Sequence, residues 1–180
     1  FAQYASLHLG NYITFNYGAD DIFLDGRTQT KIWPFEYFEK LCVSLKQAYP
    51  SIELVQIGAR NADKIAGMDR YILGENLELV KYILKNAILH FDCEGGLVHL
   101  ATQLGTKCIV TFGPTPIPYY GYPNNINLCA NVCEGCMGLS PDWYVRCIKN
   151  TDRQKCMYSL TPEFIFTKFT RYLETADLNS

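Results

Sequence analysis

Apolar and polar positions follow two alternating periods along this chain. Short apolar runs typical of β-strands lie at 11–16, 52–57, 71–73, 87–91, 107–112 and 126–128. Apolar positions spaced three or four residues apart, typical of helices buried on one side, lie at 35–48, 77–85, 96–104 and 162–172. The alternation predicts an α/β fold: a Rossmann-like, mostly parallel sheet with helices on both faces.

Helix boundaries can be predicted from single residues. Pro34 suits a first helical position and Pro50 ends that helix, while Asn76 and Thr161 are predicted N-caps. A further short helix is predicted at 61–67. The polar segment 20–31 and the aromatic, Asn- and Pro-rich segment 119–125 are predicted loops.

The stretch 91–115 carries the clearest chemical pattern. A strand ends in the acidic residues Asp92 and Glu94, two glycines open a helix that carries His99, and a second strand ends at Gly113-Pro114-Thr115. Loops at the carboxyl ends of parallel strands bind ligands, and a glycine-rich helix N-terminus accepts a phosphate. The pattern predicts a nucleotide pocket.

Composition excludes several classes of protein. The 180 residues suit one domain or two small ones, with 48% apolar and 19% charged residues. The net charge of −2 gives no basic excess, which argues against nucleic acid as a partner. No apolar run approaches the roughly 20 residues of a membrane span. The chain begins at Phe1 without Met, so we expect it to be part of something longer.

The cysteines fall into two groups. Cys42, Cys93 and Cys108 lie in apolar patterns and are predicted to be buried thiols. The other five crowd into a turn-rich segment that lacks core periodicity: Cys129, Cys133, Cys136, Cys147 and Cys156. Four of them, beginning with Cys133-x2-Cys136 and continuing with Cys147 and Cys156, predict a tetrahedral metal site, with Cys129 as a spare. The alternatives are reduced thiols and disulfides.

Three motifs, in matching order and spacing, resemble glycosyltransferase family 9, the ADP-heptose:lipopolysaccharide heptosyltransferases. They are Thr30-Lys31-Ile32-Trp33-Pro34, Glu94-Gly95-Gly96-Leu97-Val98-His99-Leu100-Ala101 and Phe112-Gly113-Pro114-Thr115. The chain departs from the family pattern in that Glu94 replaces an aspartate and Gly95 replaces a hydroxyl residue. The resemblance covers nearly the whole chain and implies the C-terminal, donor-binding half of a GT-B glycosyltransferase. The acceptor-binding domain and its general base are then expected before Phe1.

The resemblance implies an inverting transfer of a sugar, heptose being favoured, from a nucleoside diphosphate to a glycan acceptor. Lys31 and Glu94 are the implied catalytic residues, facing the phosphates and the sugar. The implied donor-binding set is Thr14, Asn16, Lys31, Gly58, Glu94, Gly95, Gly96, His99, Gly113, Pro114 and Thr115. Each has a structural alternative: a solvated lysine, a helix-capping carboxylate, a tight turn or an ordinary strand end. His99 is not assigned as general base, and Trp33 is expected to pack in the core.

The expected organisation is a Rossmann-like domain at 1–128 plus 157–180, with a cysteine-rich finger at 129–156. The resemblance implies ADP-sugar as donor, no catalytic metal, and zinc or iron on Cys133, Cys136, Cys147 and Cys156. In one branch, the autotransporter heptosyltransferases, an iron finger supports assembly. The implied partners are the missing N-terminal domain and a glycan or lipopolysaccharide acceptor. The implied location is the cytoplasm, at the inner face of the inner membrane of a Gram-negative bacterium.

Competing hypotheses remain at this point. The chain alone is expected to be inactive, since a GT-B site lies between two domains. It is alternatively a non-catalytic assembly module that uses its cysteine finger, or part of a protein heptosyltransferase of the autotransporter type. A third possibility is another GT-B-like enzyme, such as a sugar epimerase, with the same donor pocket.

Overall fold

The computed structural model describes residues 4, 7–18, 29–133, 135–149 and 154–176. The strands in this part are β1 (Tyr12–Asn16), β2 (Glu53–Gly58), β3 (Arg70–Leu73), β4 (Leu89–Cys93), β5 (Cys108–Phe112) and β6 (Ile126–Cys129). The helices are α1 (Phe35–Ala48), α2 (Leu77–Asn86), α3 (Gly96–Gln103), α4 (Ile117–Tyr120), α5 (Lys155–Tyr158) and α6 (Pro162–Thr175). Most of the predicted loop 20–31 lies outside the described residues.

The described strands form one sheet in the order β3-β2-β1-β4-β5-β6, and every neighbouring pair is parallel. This is the Rossmann order: β1 to β3 are added outward in one direction and β4 to β6 in the other, so the switch point lies between β1 and β4. Connections leave to opposite sides at that point, which opens a crevice above the carboxyl ends of the two strands. The predicted Rossmann-like parallel sheet is therefore confirmed.

Two apolar layers cover the sheet. On one face the core contains Phe38 and Leu41 of α1 and Phe169 of α6. On the other face it contains Ile83 of α2 and Val98 of α3. Burial on both faces, which stabilises the fold by about 25 cal/mol per Å² of apolar surface, explains why the strands are continuous apolar runs rather than alternating ones.

Two predicted helix caps are present in the structure. The Asn76 side chain accepts a hydrogen bond from the Leu79 N–H at 2.9 Å, and the Thr161 hydroxyl accepts one from the Phe164 N–H at 3.3 Å. Within the described residues, no helix is both long and apolar enough to cross a membrane.

The predicted helix at 61–67 is wrong, because this segment is irregular at 62–65 with turns only at its ends. The buried side chain of Gln56 explains the difference. Its amide donates to the Asp63 carbonyl at 2.8 Å and accepts from the Ile65 N–H at 2.9 Å. These bonds replace the backbone bonds that a helix would make.

Other boundaries differ by small amounts. The fourth strand begins at Leu89 rather than Ala87, because the Ala87 N–H still caps α2 through the Leu84 carbonyl. The four-residue helices α4 and α5 were not predicted, since a single turn has no periodicity to detect. The division into a domain and a finger at 129–156 stays a prediction.

Candidate functional site

Residues from four neighbouring strands meet at the carboxyl edge of the sheet. Asn16 ends β1, Gly58 ends β2, Glu94 directly follows β4, and the loop 113–115 follows β5. Because β1 and β4 are neighbours in the sheet, Asn16 and Glu94 lie on either side of the crevice between them. The fold therefore brings most of the predicted donor-binding residues to one edge.

An ionic chain centres on Glu94, which is 6% exposed. Its Oε2 lies 3.6 Å from Lys31 Nζ, and its Oε1 lies 3.7 Å from His99 Nε2. Glu94 thus links Lys31 and His99, and all three residues belong to the sequence motifs. Lys31 keeps 23% of its side chain exposed, so its ammonium group is accessible to a ligand.

Tyr122 extends this chain and was not singled out from the sequence. Its hydroxyl lies 2.9 Å from His99 Nδ1. The His99 ring therefore lies between the Glu94 carboxylate and the Tyr122 hydroxyl, and the hydrogen bond with Tyr122 orients it. No motif in the loop 119–125 pointed to this contact.

The N-terminus of α3 is open. Its first N–H groups have no partner within the helix, and the N-cap Gly95 supplies no side-chain cap. A Cβ on Gly95 would meet only the Cys93 carbonyl oxygen, at 3.7 Å, and one on Gly96 would meet nothing within 4 Å. The two glycines are therefore not required by packing, and they leave room in front of a helix end that attracts anions.

Thr115 lies in the neighbouring loop after β5. It is 5% exposed, and its hydroxyl has no hydrogen-bond partner among the described residues. A buried hydroxyl without a partner costs about 1–3 kcal/mol, so such groups are kept where a ligand or solvent satisfies them. The contact of Thr115 with a donor phosphate stays a prediction.

A buried polar network underlies the crevice between β1 and β4. Asn16 Nδ2 donates to Asp92 Oδ2 at 3.0 Å, and the same oxygen lies 3.6 Å from His90 Nε2. His90 Nδ1 lies 3.0 Å from the hydroxyl of Thr14. Thr14 is thus buried inside the sheet, and its side chain connects to Asn16 at the carboxyl edge through His90 and Asp92.

His90 was not singled out from the sequence because it lies within an apolar run, and Asp92 was noted at the end of that run but was not assigned to donor binding. Only the pairing of β1 with β4 brings them beside Thr14 and Asn16. Burial raises the pKa of the Asp92 carboxyl, and the nearby His90 ring and the hydrogen bond from Asn16 oppose that shift. The network holds the Asn16 side chain in one orientation.

Gly58 is required by this orientation. A Cβ at Gly58 would lie 2.6 Å from Asn16 Oδ1, and the backbone there has a φ of +144°. Only glycine adopts this φ without strain and leaves space for the amide oxygen. The predicted residues Asn16 and Gly58 therefore form one unit at the ends of β1 and β2.

We expect Asp92→Asn to raise the stability of the protein more at neutral than at acidic pH. Because the folded pKa of Asp92 is raised, its favourable contribution is full below the unfolded value of 3.8 and is lost as the pH rises through the folded pKa. Asparagine abolishes that loss. Urea unfolding at pH 4.5 and 7.5 measures it, and a gain that is larger at pH 4.5 would contradict the argument.

None of the eight cysteines forms a disulfide in the described part of the chain. Cys42, Cys93 and Cys108 are buried, as predicted, and burial raises the pKa of each thiol to about 12. Among the described residues, no group of three or more His, Cys, Asp or Glu side chains is arranged to hold a metal ion.

The four cysteines predicted as ligands lie close enough for their charges to interact, without forming such a group in the part of the chain that the structure describes. Burial raises the pKa of the Cys156 thiol to about 11, and the nearby Cys133, Cys136 and Cys147 add to this effect. Burial also raises the pKa of Cys136, again with contributions from Cys147 and Cys133. Cys133 and Cys156, the two ends of this set, are 23 residues apart in sequence.

Comparison with known proteins gives matches to solved structures. No protein-family profile matches the chain, and no curated protein sequence matches it. The chain is similar to E. coli ADP-heptose lipopolysaccharide heptosyltransferase II, with 16% identity, a TM-score of 0.69 and coverage of 98% of this chain and 51% of that one. It is similar to E. coli heptosyltransferase WaaC with ADP, with 19% identity, a TM-score of 0.63 and coverage of 95% and 48%.

A third match is the iron-containing dodecameric glycosyltransferase TibC from enterotoxigenic E. coli, with 15% identity, a TM-score of 0.75 and coverage of 92% and 45%. The chain therefore spans about half the length of the structures it resembles. At these identities the likeness is one of fold. The chain has the Rossmann-like α/β fold of the glycosyltransferase family 9 heptosyltransferases, the family to which its sequence motifs pointed.

Proposed function

We propose that this chain is the donor-binding domain of an inverting glycosyltransferase and that it binds a nucleoside diphosphate sugar at the carboxyl edge of its sheet. One observation carries the proposal. Lys31, the open N-terminus of α3 and Glu94 converge beside the crevice between β1 and β4. A cation and free N–H groups beside a carboxylate suit a ligand that is anionic at one end and rich in hydroxyls at the other.

The proposed roles follow from the charge that develops during transfer. Breaking the bond from the sugar to the diphosphate leaves negative charge on the phosphate oxygens. Lys31 and the N–H groups of Gly96 and Leu97 stabilise that charge without a metal ion. Thr115 donates its unpaired hydroxyl to the same group.

Glu94 is proposed to accept hydrogen bonds from hydroxyls of the donor sugar. The imidazole of His99, held by Tyr122, faces the carboxylate from the other side and keeps it in place. The base that removes the acceptor proton is assigned to the N-terminal acceptor domain, which the family resemblance implies.

The preferred donor is ADP-heptose, and the preferred acceptor is a glycan of lipopolysaccharide or of a related surface polymer. One of the similar solved structures is WaaC with ADP, which supports adenine as the base. A protein acceptor, as in autotransporter glycosylation, is the second candidate. Either acceptor is consistent with an enzyme that works in the cytoplasm at the inner membrane.

Titration calorimetry tests this proposal. We expect the full-length protein to bind ADP in preference to UDP and GDP, and to bind ADP-heptose more tightly than ADP. Glu94→Ala should weaken ADP-heptose binding about tenfold, the effect of losing about 1.4 kcal/mol of hydrogen bonding to a charged group. ADP binding should stay the same or tighten, because Lys31 loses its internal partner.

Glu78→Ala is the matched control, since Glu78 is an exposed carboxylate paired with Lys81 at 2.7 Å. It should change neither affinity. A protein that binds no nucleoside diphosphate would contradict the donor-domain assignment and favour the non-catalytic assembly module. An equal loss for ADP and ADP-heptose in Glu94→Ala would remove Glu94 from the sugar.

We also propose a structural metal ion, zinc or iron, on Cys133, Cys136, Cys147 and Cys156. Four thiolates are a donor set that both metals accept. The Cys136 and Cys156 thiols have raised pKa values to which the charges of Cys133 and Cys147 contribute, and a bound cation would reverse that contribution. Bound metal would supply a cross-link in a segment that exposes much apolar surface, and all four ligands would be protein, so no position would be open for catalysis.

Metal analysis by mass spectrometry tests the second proposal. We expect about one equivalent of metal per chain in the purified protein and a loss of most of it in Cys136→Ser. Cys129→Ser is the control, because Cys129 is exposed and lies outside the proposed set. Unchanged metal content in Cys136→Ser, or a preparation without metal, would contradict the site.

A further inference from the structure

We propose that the cysteine-rich segment braces the donor phosphate site, and that Thr30 is the positioning residue through which it holds Lys31. The inference rests on the proposed function, since it concerns how the phosphate contacts are kept in place. It assigns a role in donor binding to residues that have no contact with the donor themselves.

The first attachment of the segment is to the Lys31 loop. Thr30 is 3% exposed, and both its backbone N–H and its hydroxyl point to the segment. The N–H donates to the Tyr144 carbonyl at 2.9 Å, and the hydroxyl donates to the Trp143 carbonyl at 2.8 Å. Two hydrogen bonds from one buried residue fix the backbone immediately before Lys31.

The second attachment is to the loop that carries Thr115. The Met137 N–H donates to the Pro114 carbonyl at 3.0 Å. A Cβ at Gly135 would lie 2.9 Å from that same oxygen, so the segment passes in close contact with the loop. Residues 137–144 thus connect the two loops that carry Lys31 and Thr115.

The segment itself consists of turns. Short-range bonds shape it, such as Trp143 N–H to the Ser140 carbonyl at 3.3 Å and Arg146 N–H to the Asp142 carbonyl at 2.9 Å. Several of its apolar side chains stay exposed, among them Leu139 at 70% and Ile148 at 41%. Because the cysteine-rich segment has no core of its own, its hydrogen bonds to the Lys31 and Thr115 loops and its cysteines set its position.

A lysine side chain loses considerable rotamer freedom when it binds a phosphate, and a fixed backbone limits what remains to be ordered. Removing one of the two Thr30 bonds should therefore weaken binding of the diphosphate through Lys31. Binding of adenosine, which has no phosphate, should be unaffected. A role of Thr30 in stability alone would not separate the two ligands.

The test is a double-mutant cycle on the full-length protein with ADP and adenosine as ligands. Thr30→Val, which keeps the shape and loses the hydroxyl, should weaken ADP binding about five- to tenfold, as for loss of one hydrogen bond. Thr30→Ser should restore most of the affinity. In a Lys31→Ala background, Thr30→Val should change ADP binding less than about twofold, because the two residues act as one unit.

Thr106→Val is the matched control. It removes an equally buried hydroxyl bond, to the Leu84 carbonyl at 2.6 Å, at the opposite edge of the sheet. It should leave ADP binding unchanged. Equal effects of Thr30→Val with and without Lys31, or no effect at all, would overturn the brace while leaving ADP binding itself intact. Absence of ADP binding in the unmodified protein would instead refute the proposed function, and the brace with it.

Discussion

Replacing Trp33 by alanine is expected to lower the free energy of unfolding by about 3–5 kcal/mol. Trp33 is fully buried, and its ring centroid lies 5.0 Å from that of Phe38 and 5.3 Å from that of Phe91. Its Nε1–H donates to the Leu160 carbonyl at 2.7 Å, so alanine leaves both a cavity and an unpaired carbonyl. Domain stabilities are only about 5–15 kcal/mol, and the change is a large part of that.

Urea unfolding followed by circular dichroism measures this effect. Trp33→Phe should cost less, about 1–3 kcal/mol, because the phenyl ring fills most of the indole space while the Leu160 carbonyl loses its donor. The other tryptophan, Trp143, is half-buried and gives the control. If Trp143→Ala cost as much as Trp33→Ala, the assignment of Trp33 to the core anchor would be wrong.

Lys31→Ala is expected to weaken binding of ADP by about 10- to 100-fold. A charged hydrogen bond to a phosphate contributes about 1.5–3 kcal/mol, and each 1.4 kcal/mol is a factor of about ten. Removing the ammonium also leaves Glu94 without its cation at 3.6 Å, so the carboxylate then repels the incoming phosphates. Calorimetric titration at constant ionic strength measures the loss.

Lys40→Ala is a suitable control, because it removes the same charge from an exposed position on α1. It should alter ADP affinity less than about twofold. Equal losses in the two variants would show that net charge, rather than a contact at Lys31, governs binding. The loss in Lys31→Ala should also be absent for adenosine, which offers no phosphate.

Much of the fold could be predicted from the sequence, because buried parallel strands and one-sided helices leave clear periods. Asn76 and Thr161 marked helix starts by local chemistry that the tertiary structure does not override, whereas Pro34 lies one residue before its helix as the N-cap rather than at the predicted first helical position. The helix prediction at 61–67 failed because backbone groups of this segment bond to the Gln56 side chain. A long-range partner of this kind leaves no trace in local periodicity.

The site was predictable where a motif carried it. Lys31, Glu94 and His99 belong to motifs, and they meet in the structure. Tyr122 was missed, and Asp92 was noted but not assigned to the donor-binding set, for different reasons. Tyr122 lies in a loop without periodicity, whereas Asp92 lies in an apolar strand whose neighbour across the sheet, Asn16, is 76 residues away.

The most direct test of the central claim is to locate bound ADP by amide chemical shifts in the ¹⁵N-labelled protein. We predict that the largest changes occur at Lys31, Gly95, Gly96 and Thr115, at the carboxyl edge of the sheet. The opposite edge offers a cavity of about 330 Å³, lined by Lys85, Lys107 and Asn124 among others. Changes confined to those residues, or no changes at all, would contradict the account.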